Sequence, residues 1–294
     1  MELSCRNYPG AGHAAGTGAP LVLLHGLFGS AAQWHHIAAP LSARARVLAV
    51  DLRNHGLSPH ADAMGYQEMA EDLRELLDAQ GIARARVAGH SMGGKVAMAF
   101  ALLHPRRTEA LAVLDIAPAR YHDHFSALVC AALRLDLGAA RSREEADRQL
   151  ERFVPSARLR AMLLQNLAWR DGHLAWRIHW LGIGGSMPQL LGFAPGLLRS
   201  SSAVEALFVR GGTSDYVLPR HENTIRRLFP RSRIVELADA GHWLHADRPA
   251  ALVQLLAEWM EGPATGVPTA CLVSSSPGPA QAASGSMLEP RAGA

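Results

Sequence analysis

Residues 86–103 read RVAGHSMGGKVAMAFALL, in which a glycine-flanked serine joins a short apolar run to a helical pattern. The segment 89–93, GHSMG, fits G-x-S-x-G, which holds a nucleophilic serine when a strand precedes it and a helix follows it. The flanking glycines let neighbouring backbone approach without a side-chain clash. An ordinary glycine-rich turn with an unreactive serine is the alternative interpretation. The strand–turn–helix context favours Ser91 as a nucleophile.

Similar apolar runs, bounded by polar or turn-forming residues, recur towards both ends of the chain. Runs of this kind are typical of parallel strands buried on both faces. They are Leu21–Leu24, Val47–Val50, Arg86–Ala88, Leu111–Leu114, Ala206–Arg210 and Ile234–Leu237. The helical patterns between them are Tyr66–Gln80, Lys95–Leu103, Pro219–Phe229 and Pro249–Met260. This alternation predicts an α/β fold with a doubly wound, mostly parallel sheet.

The pattern changes over residues 117–203, which are mostly helical in character, rich in arginine and contain three tryptophans. Within them, residues 142–145 (SREE) fit a capping box that opens a helix. We therefore predict a core of residues 1–116 and 204–261, interrupted by a helical lid of residues 117–203 over the carboxyl edge of the sheet. The lid tryptophans and leucines suggest an apolar acyl pocket, or simply the packing core of the lid. Residues 262–294, rich in Pro, Gly, Ser and Ala, are predicted to form a disordered tail.

The residues after the last predicted strand contain the candidate general base. Residues 240–243 read AGHW, and a loop histidine there can reach across the sheet edge to Ser91. His242 would take the serine proton and later return it to the leaving group. A histidine that follows the serine and the acid in the chain suits this fold. His245 is the second candidate.

Two aspartates are candidates for the acid that orients the base. Asp215 follows the strand before the penultimate predicted helix, where such a sheet usually supplies its carboxylate. Asp115 ends the strand that follows the nucleophile helix, and a carboxylate there can also reach the base. Either would fix the histidine tautomer and stabilise the imidazolium. Because both also suit ordinary turns, the residues alone leave the choice open.

A second glycine-bounded turn supplies candidate donors for an oxyanion. Residues 25–29, HGLFG, follow the first long predicted strand. The backbone N–H of Met92, together with that of Leu27 or Phe28, would form the oxyanion hole, and we prefer Leu27. A tight turn with a structural histidine is the alternative.

Composition excludes several other classes of function. The 294 residues include 29 basic and 26 acidic side chains, which give a net charge of +3. Because the basic residues form no continuous run, the charge pattern does not indicate nucleic-acid binding. Cys5, Cys130 and Cys271 are widely spaced, and the histidines of residues 122–124 lack an evident third ligand, so we expect neither a disulfide framework nor a metal site. We expect no cofactor.

The chain lacks a signal peptide and a membrane-spanning stretch, which predicts a cytoplasmic protein. The oligomeric state is not predicted.

These motifs resemble those of serine-dependent α/β-hydrolases, and more narrowly those of the YbfF-type esterases. The similarity extends over about residues 20–260 and is weak through the lid. The matching segments are LVLLHGLFGSAAQW (21–34), VDLRNHGLSPH (50–60), GHSMGGKVAM (89–98), LDIAPARYH (114–122), VRGGTSDYV (209–217) and AGHWLHADRP (240–249).

The resemblance implies hydrolysis of carboxylic esters through an acyl-enzyme, with acyl thioesters as a further candidate class of small-molecule substrate. It implies that Ser91 is the nucleophile and His242 the base. Ser214 occupies the position where relatives of this branch have Ser instead of the usual Asp, which slightly favours Asp115 as the acid. Asp215 lies one residue later and remains a candidate.

Four alternative functions are weighed against this one. Haloalkane dehalogenases and epoxide hydrolases share the fold but use Asp as nucleophile, and Ser91 argues against both. A cofactor-free haloperoxidase (perhydrolase) uses the same triad. A non-catalytic hydrolase-like binding protein is disfavoured because Ser91, His242 and the turn of residues 25–29, here called the oxyanion turn, are all present.

Overall fold

The computed structural model describes residues 1–10 and 18–262, at whose centre lies a seven-stranded sheet. Its strands are β1 (Cys5–Tyr8), β2 (Leu21–Leu24), β3 (Val47–Val50), β4 (Ala85–His90) and β5 (Thr108–Leu114), followed later in the chain by β8 (Ala206–Gly211) and β9 (Ser232–Leu237). Their spatial order is β1-β3-β2-β4-β5-β8-β9. Strand β1 pairs antiparallel with β3, and the other neighbouring strands pair in parallel. The predicted α/β fold with a mostly parallel sheet is confirmed.

Alternate residues of the central strands enter two separate apolar cores. In β2, Leu21 and Leu23 pack into one core, whereas Val22 and Leu24 pack into the other, and all four are fully buried. Burying each such side chain stabilises the fold by about 1.5–3 kcal/mol. The sheet is therefore covered on both faces, which explains why its strands read as continuous apolar runs.

Helices provide the two covering layers. The helices outside residues 117–203 are α1 (His35–Leu41), α2 (Tyr66–Ala79), α3 (Met92–Leu103), α8 (Pro219–Leu228), α9 (Leu244–Asp247) and α10 (Pro249–Glu261). Helices α1 and α10 pack together on one side, and α2 packs against α3 on the other. Helix α3 begins three residues earlier than the apolar pattern predicted, because the serine turn leads straight into it.

The predicted lid contains helices α4 (Ser126–Leu133), α5 (Arg143–Glu151), α6 (Ala157–Leu164) and α7 (Trp180–Leu191). It also contains an antiparallel hairpin that the sequence analysis missed, formed by β6 (Leu167–Arg170) and β7 (His173–Trp176). Its turn is Asp171-Gly172, with φ of 51° and 82°. Asp-Gly between two short aromatic-containing runs is a hairpin signal, and two four-residue strands are short enough to be read as helix.

The capping box predicted at the start of α5 is half formed. The Ser142 hydroxyl accepts the Glu145 N–H at 3.2 Å, but the Glu145 carboxylate accepts the Arg141 N–H instead of that of Ser142. The disorder predicted for the tail concerns residues 263–294, which lie outside the described residues. Over residues 1–10 and 18–262, none of the helices is both long enough and apolar enough to cross a bilayer.

Candidate active site

The turn between β4 and α3 holds Ser91 in an uncommon backbone conformation, with φ 52° and ψ −119°. Its N–H donates to the Leu114 carbonyl at 3.0 Å, which joins the turn to the neighbouring strand. A Cβ on Gly93 would lie 2.5 Å from the carbonyl oxygens of Leu24 and His25. A glycine is therefore required at position 93, where the turn packs directly against the backbone that leaves β2.

Three of the predicted side chains form one hydrogen-bonded chain. The Ser91 hydroxyl donates to His242 Nε2 at 3.1 Å, and His242 Nδ1 donates to Asp115 Oδ2 at 2.8 Å. Because a carboxylate on Nδ1 holds the proton there, Nε2 is left as the acceptor that faces the serine. This is the arrangement in which a histidine can deprotonate a serine.

Asp115 is fully buried, and hydrogen-bond donors surround it. Besides His242, its carboxylate accepts the Gly211 N–H at 2.9 Å on Oδ1 and the Ser214 hydroxyl on Oδ2. A buried carboxylate is costly unless its oxygens are paired, so these donors stabilise it in place. They also set the direction of the Oδ2 lone pair that His242 uses.

Asp215 and His245 lie away from this chain. The Asp215 side chain is exposed, and within residues 1–10 and 18–262 it has no hydrogen-bond partner. The His245 ring packs against Trp34 and His90, at 5.4 and 5.1 Å between ring centroids. Burial lowers the pKa of His245 to about 4. The structure thus brings Asp115, not Asp215, to His242, and places the half-buried His245 beside the site.

An aromatic side chain that sequence reasoning missed lies flat on the base. The Tyr216 ring stacks on the His242 imidazole with centroids 3.7 Å apart and planes 16° from parallel. Tyr121 stacks on Tyr216 at 5.1 Å, and its hydroxyl donates to the Tyr216 carbonyl at 2.7 Å. An aromatic face favours a cation beside it, so the stack stabilises an imidazolium at His242. The only signal in the sequence was an aromatic residue directly after the candidate acid.

The oxyanion turn offers one free donor to the pocket. The Phe28 N–H donates to His55 Nε2 at 3.2 Å and is therefore occupied. Leu27 lines the pocket beside Ser91 and Met92, and among the described residues no acceptor lies within hydrogen-bond distance of its N–H. The Met92 N–H begins α3, where backbone donors have no partner inside the helix and the helix dipole favours negative charge. These contacts distinguish Leu27 from Phe28.

Two buried histidines support this turn from behind. His55 Nδ1 donates to a backbone carbonyl at 2.9 Å, and His25 Nε2 accepts the Leu52 N–H at 3.0 Å. Burial lowers the pKa of His25 to about 4 and that of His55 to about 3, so both rings are neutral at pH 7. Residues 50–60 belong to the pattern that carries the family resemblance, but that pattern predicted no role for His55.

Ser91 opens into an apolar pocket of about 370 Å³. Its walls come from the core and the predicted lid alike: Leu27, Tyr66, Ser91, Met92, Lys95, Ile116, Tyr121, Phe125, Met187, Leu190, Leu191 and Tyr216. Its lining suits an alkyl or aryl group next to a reacting carbonyl.

Lys95, the only lysine of the chain, reaches this pocket from α3. Its ammonium donates to the carbonyls of Leu191, at 3.1 Å, and of Gly192, at the carboxyl end of α7. Burial lowers the pKa of Lys95 to about 7. A cation at a helix carboxyl end is stabilised by the last carbonyls, so Lys95 joins α3 to the end of α7.

Within the described part of the chain, no three metal-ligating side chains cluster. The histidines of residues 122–124 lie with ring centroids 6.4 Å apart, and no third ligand joins them. The described residues thus offer no metal centre near Ser91.

Comparison with known proteins gives a consistent family. Residues 19–249 match the family model described as alpha/beta hydrolase fold. The chain is 36% identical to the sn-1-specific diacylglycerol lipase ABHD11 of Danio rerio over 84% of its own length and 80% of that protein. It is 35% identical to the esterase YbfF of Escherichia coli K12 over 82% and 92% of the two chains. The solved structure of a marine microorganism esterase superposes with a TM-score of 0.82, at 36% identity, over 88% and 99% of the two chains.

Proposed function

Because the chain belongs to the α/β-hydrolase family and to its YbfF-like esterase branch, we propose that it cleaves carboxylic esters through Ser91, His242 and Asp115. The chain is a carboxylic ester hydrolase, the class that its named relatives share. The observation that carries the proposed mechanism is the hydrogen-bonded chain from Ser91 to Asp115, which opens into an apolar pocket.

The first half of the reaction acylates the serine. His242 Nε2 accepts the hydroxyl proton as Ser91 Oγ attacks the ester carbonyl carbon. The carbonyl oxygen becomes an oxyanion, which accepts hydrogen bonds from the N–H groups of Leu27 and Met92. The tetrahedral intermediate then expels the alcohol, which takes the proton from His242, and the acyl group stays on Ser91.

The second half reverses these roles with water. His242 deprotonates a water molecule as its oxygen attacks the acyl carbon, and the same two N–H groups hold the second oxyanion. The bond to Ser91 Oγ breaks, the serine recovers its proton from His242, and the carboxylic acid leaves. Asp115 keeps the imidazole in the correct tautomer throughout.

The pocket favours substrates with an apolar acyl group. Most of its lining side chains are aliphatic or aromatic, and Tyr216 is stacked against the base at its edge. The same two steps serve acyl thioesters, in which a thiol leaves instead of an alcohol, and we include them as a second substrate class. The lining offers no group that would distinguish the two leaving atoms.

Hydrolysis of p-nitrophenyl esters from acetate to dodecanoate, and of matched acyl thioesters, tests the proposal. We expect turnover that rises with acyl length until the pocket is full and then falls. Ser91→Ala should abolish turnover but leave the thermal midpoint of unfolding close to that of the wild type. Unimpaired hydrolysis by Ser91→Ala would overturn the serine mechanism. Absence of turnover on every ester and thioester would instead favour a binding protein built on this fold.

A further inference from the structure

The oxyanion turn holds a bulky residue in a conformation that usually favours glycine. The Gly29 N–H donates to the Gly26 carbonyl at 3.0 Å, so residues 26–29 form a hydrogen-bonded β-turn. Phe28, at its third position, has φ 63°, whereas Leu27 is not among the residues with positive φ. This is the pattern of a type II turn, in which glycine or asparagine normally occupies the third position. Phe28 is therefore strained, and its surroundings must hold it in place.

Four contacts fix Phe28. His55 accepts its N–H at 3.2 Å, as described above. Its carbonyl accepts the Asn166 side-chain amide at 2.9 Å and the Gln165 amide at 3.3 Å. Its ring is fully buried and packs against Trp180, with centroids 5.1 Å apart. Both peptide groups that flank the strained residue are thus hydrogen-bonded to side chains.

Asn166 belongs to the predicted lid, in the short link between α6 and β6. Its side chain is buried, and its Nδ2 also faces the Leu163 carbonyl at 3.2 Å, so the nitrogen is the donor on this side. The main-chain carbonyl of Asn166 accepts the main-chain N–H of Arg177 at 2.9 Å. A rigid donor from residues 117–203 therefore reaches the turn that carries a candidate oxyanion donor.

We propose that Asn166 is a positioning residue of the oxyanion hole, because its amide holds the Phe28 carbonyl and thereby aims the Leu27 N–H into the pocket. The inference rests on the proposed function, since it needs the oxyanion that Ser91 generates. It assigns residues 117–203 a part in transition-state stabilisation as well as in the pocket wall.

Loss of the Asn166 amide would act on the turn in a defined way. The buried Phe28 carbonyl would lose its better donor, and the strained residue could relax to negative φ, as in a type I turn. That relaxation rotates the Leu27–Phe28 peptide and breaks the hydrogen bond to His55. The Leu27 N–H would then lose its fixed direction while the pocket walls remained. The transition state should suffer more than the bound substrate.

The test compares Asn166→Leu with wild type in three measurements: kcat, KM and inhibition by a trifluoromethyl ketone of matched acyl length. This ketone reacts with a serine nucleophile to give an oxyanion in the hole. We expect kcat to fall about tenfold, less than the 10²–10³-fold typical of removing a whole donor. KM should stay within about twofold, and the inhibition constant should rise by the same factor as kcat/KM falls.

Arg160→Met is the matched control within residues 117–203. Arg160 is buried and donates to the Val154 and Pro155 carbonyls, at 3.1 and 2.9 Å, without touching the turn. We expect it to lower the thermal midpoint and to keep the wild-type kcat and ketone affinity. An equal loss of kcat in this control, or wild-type kcat and ketone affinity in Asn166→Leu, would overturn the inference.

A second variant covers the case in which Asn166→Leu does not fold. Gln165 is exposed and donates to the same carbonyl from 3.3 Å, so Gln165→Leu should fold and lower kcat severalfold. Unchanged kcat in that variant would then overturn the inference. Failure of the proposed function is distinguishable, because it shows as hydrolysis that persists in Ser91→Ala or as absence of turnover by the wild type.

Discussion

The two sides of the site are built by different means. On the base side, the candidate catalytic groups are the side chains of Ser91, His242 and Asp115, and the loops at the carboxyl ends of β4, β5 and β9 bring them together. On the oxyanion side, the candidate donors are backbone N–H groups, and side chains of other segments hold the turn. A reacting side chain can be predicted from its residue type. A reacting backbone N–H group can be predicted only from the residues that set the conformation around it.

The difference predicts that substitutions on the base side have the larger effects. A side chain that reacts cannot be replaced by its neighbours, whereas a turn with several supports loses only part of its geometry when one support is removed.

Removal of the base should have the largest effect. We expect His242→Ala to lower kcat on the order of 10⁴–10⁶-fold, because among the described residues His242 Nε2, at 3.1 Å, is the acceptor that the Ser91 hydroxyl faces. Steady-state hydrolysis of a p-nitrophenyl ester measures the loss, and His245→Gln is the control for a neighbouring buried histidine. A residual rate within about tenfold of wild type would mean that another group deprotonates the serine.

The two aspartates should differ sharply. Asp115→Asn is expected to lower kcat on the order of 10³–10⁴-fold, because an amide that donates to His242 holds the wrong tautomer. Asp215→Asn should stay within about twofold of wild type, since its exposed carboxylate has no described partner. The pair is matched in chemistry and differs only in position. The reverse ranking in a rate assay would assign the acid to Asp215.

More of the base side than of the oxyanion side could be predicted from the sequence, for physical reasons. Ser91 could be predicted as a candidate nucleophile because a strained strand–helix turn needs glycines at fixed offsets from the serine. The choice between Asp115 and Asp215 stayed open because both follow strands at the same edge of the sheet, and only the loop conformations decide which carboxylate reaches His242. Asn166 and His55 were missed because their partners are backbone groups of Phe28, far away in the chain, and no pattern of residue types records such a contact.

Tyr216 provides a smaller test within the base side. Tyr216→Leu removes the aromatic face from His242, and we expect kcat to fall about tenfold because the imidazolium loses a cation–π contact. Tyr216→Phe keeps the ring and should retain most of the activity. The measurement is kcat for p-nitrophenyl ester hydrolysis by both variants and the wild type. Equal activity of the two variants would mean that the Tyr216 ring packs against His242 without stabilising the imidazolium.

The smallest effect concerns stability in acid and comes from the two buried histidines behind the oxyanion turn. Burial lowers the pKa of His25 to about 4 and that of His55 to about 3, whereas an unfolded chain has ordinary histidines near 6.5. Between pH 4 and 6.5 the unfolded state therefore binds more protons, so the free energy of unfolding should fall as the pH decreases through that window. Each such histidine contributes up to about 1.4 kcal/mol per pH unit.

His55→Gln isolates the share of the oxyanion side, because the amide oxygen can still accept the Phe28 N–H but does not titrate. Urea unfolding at several values between pH 7 and 4.5 should give a shallower loss of stability than in wild type, by about one proton. His36→Gln, at an exposed histidine of α1, is the matched control. Identical slopes in wild type and His55→Gln would mean that His55 is not held neutral against the turn. The oxyanion side would then lack the support that distinguishes it from the base side.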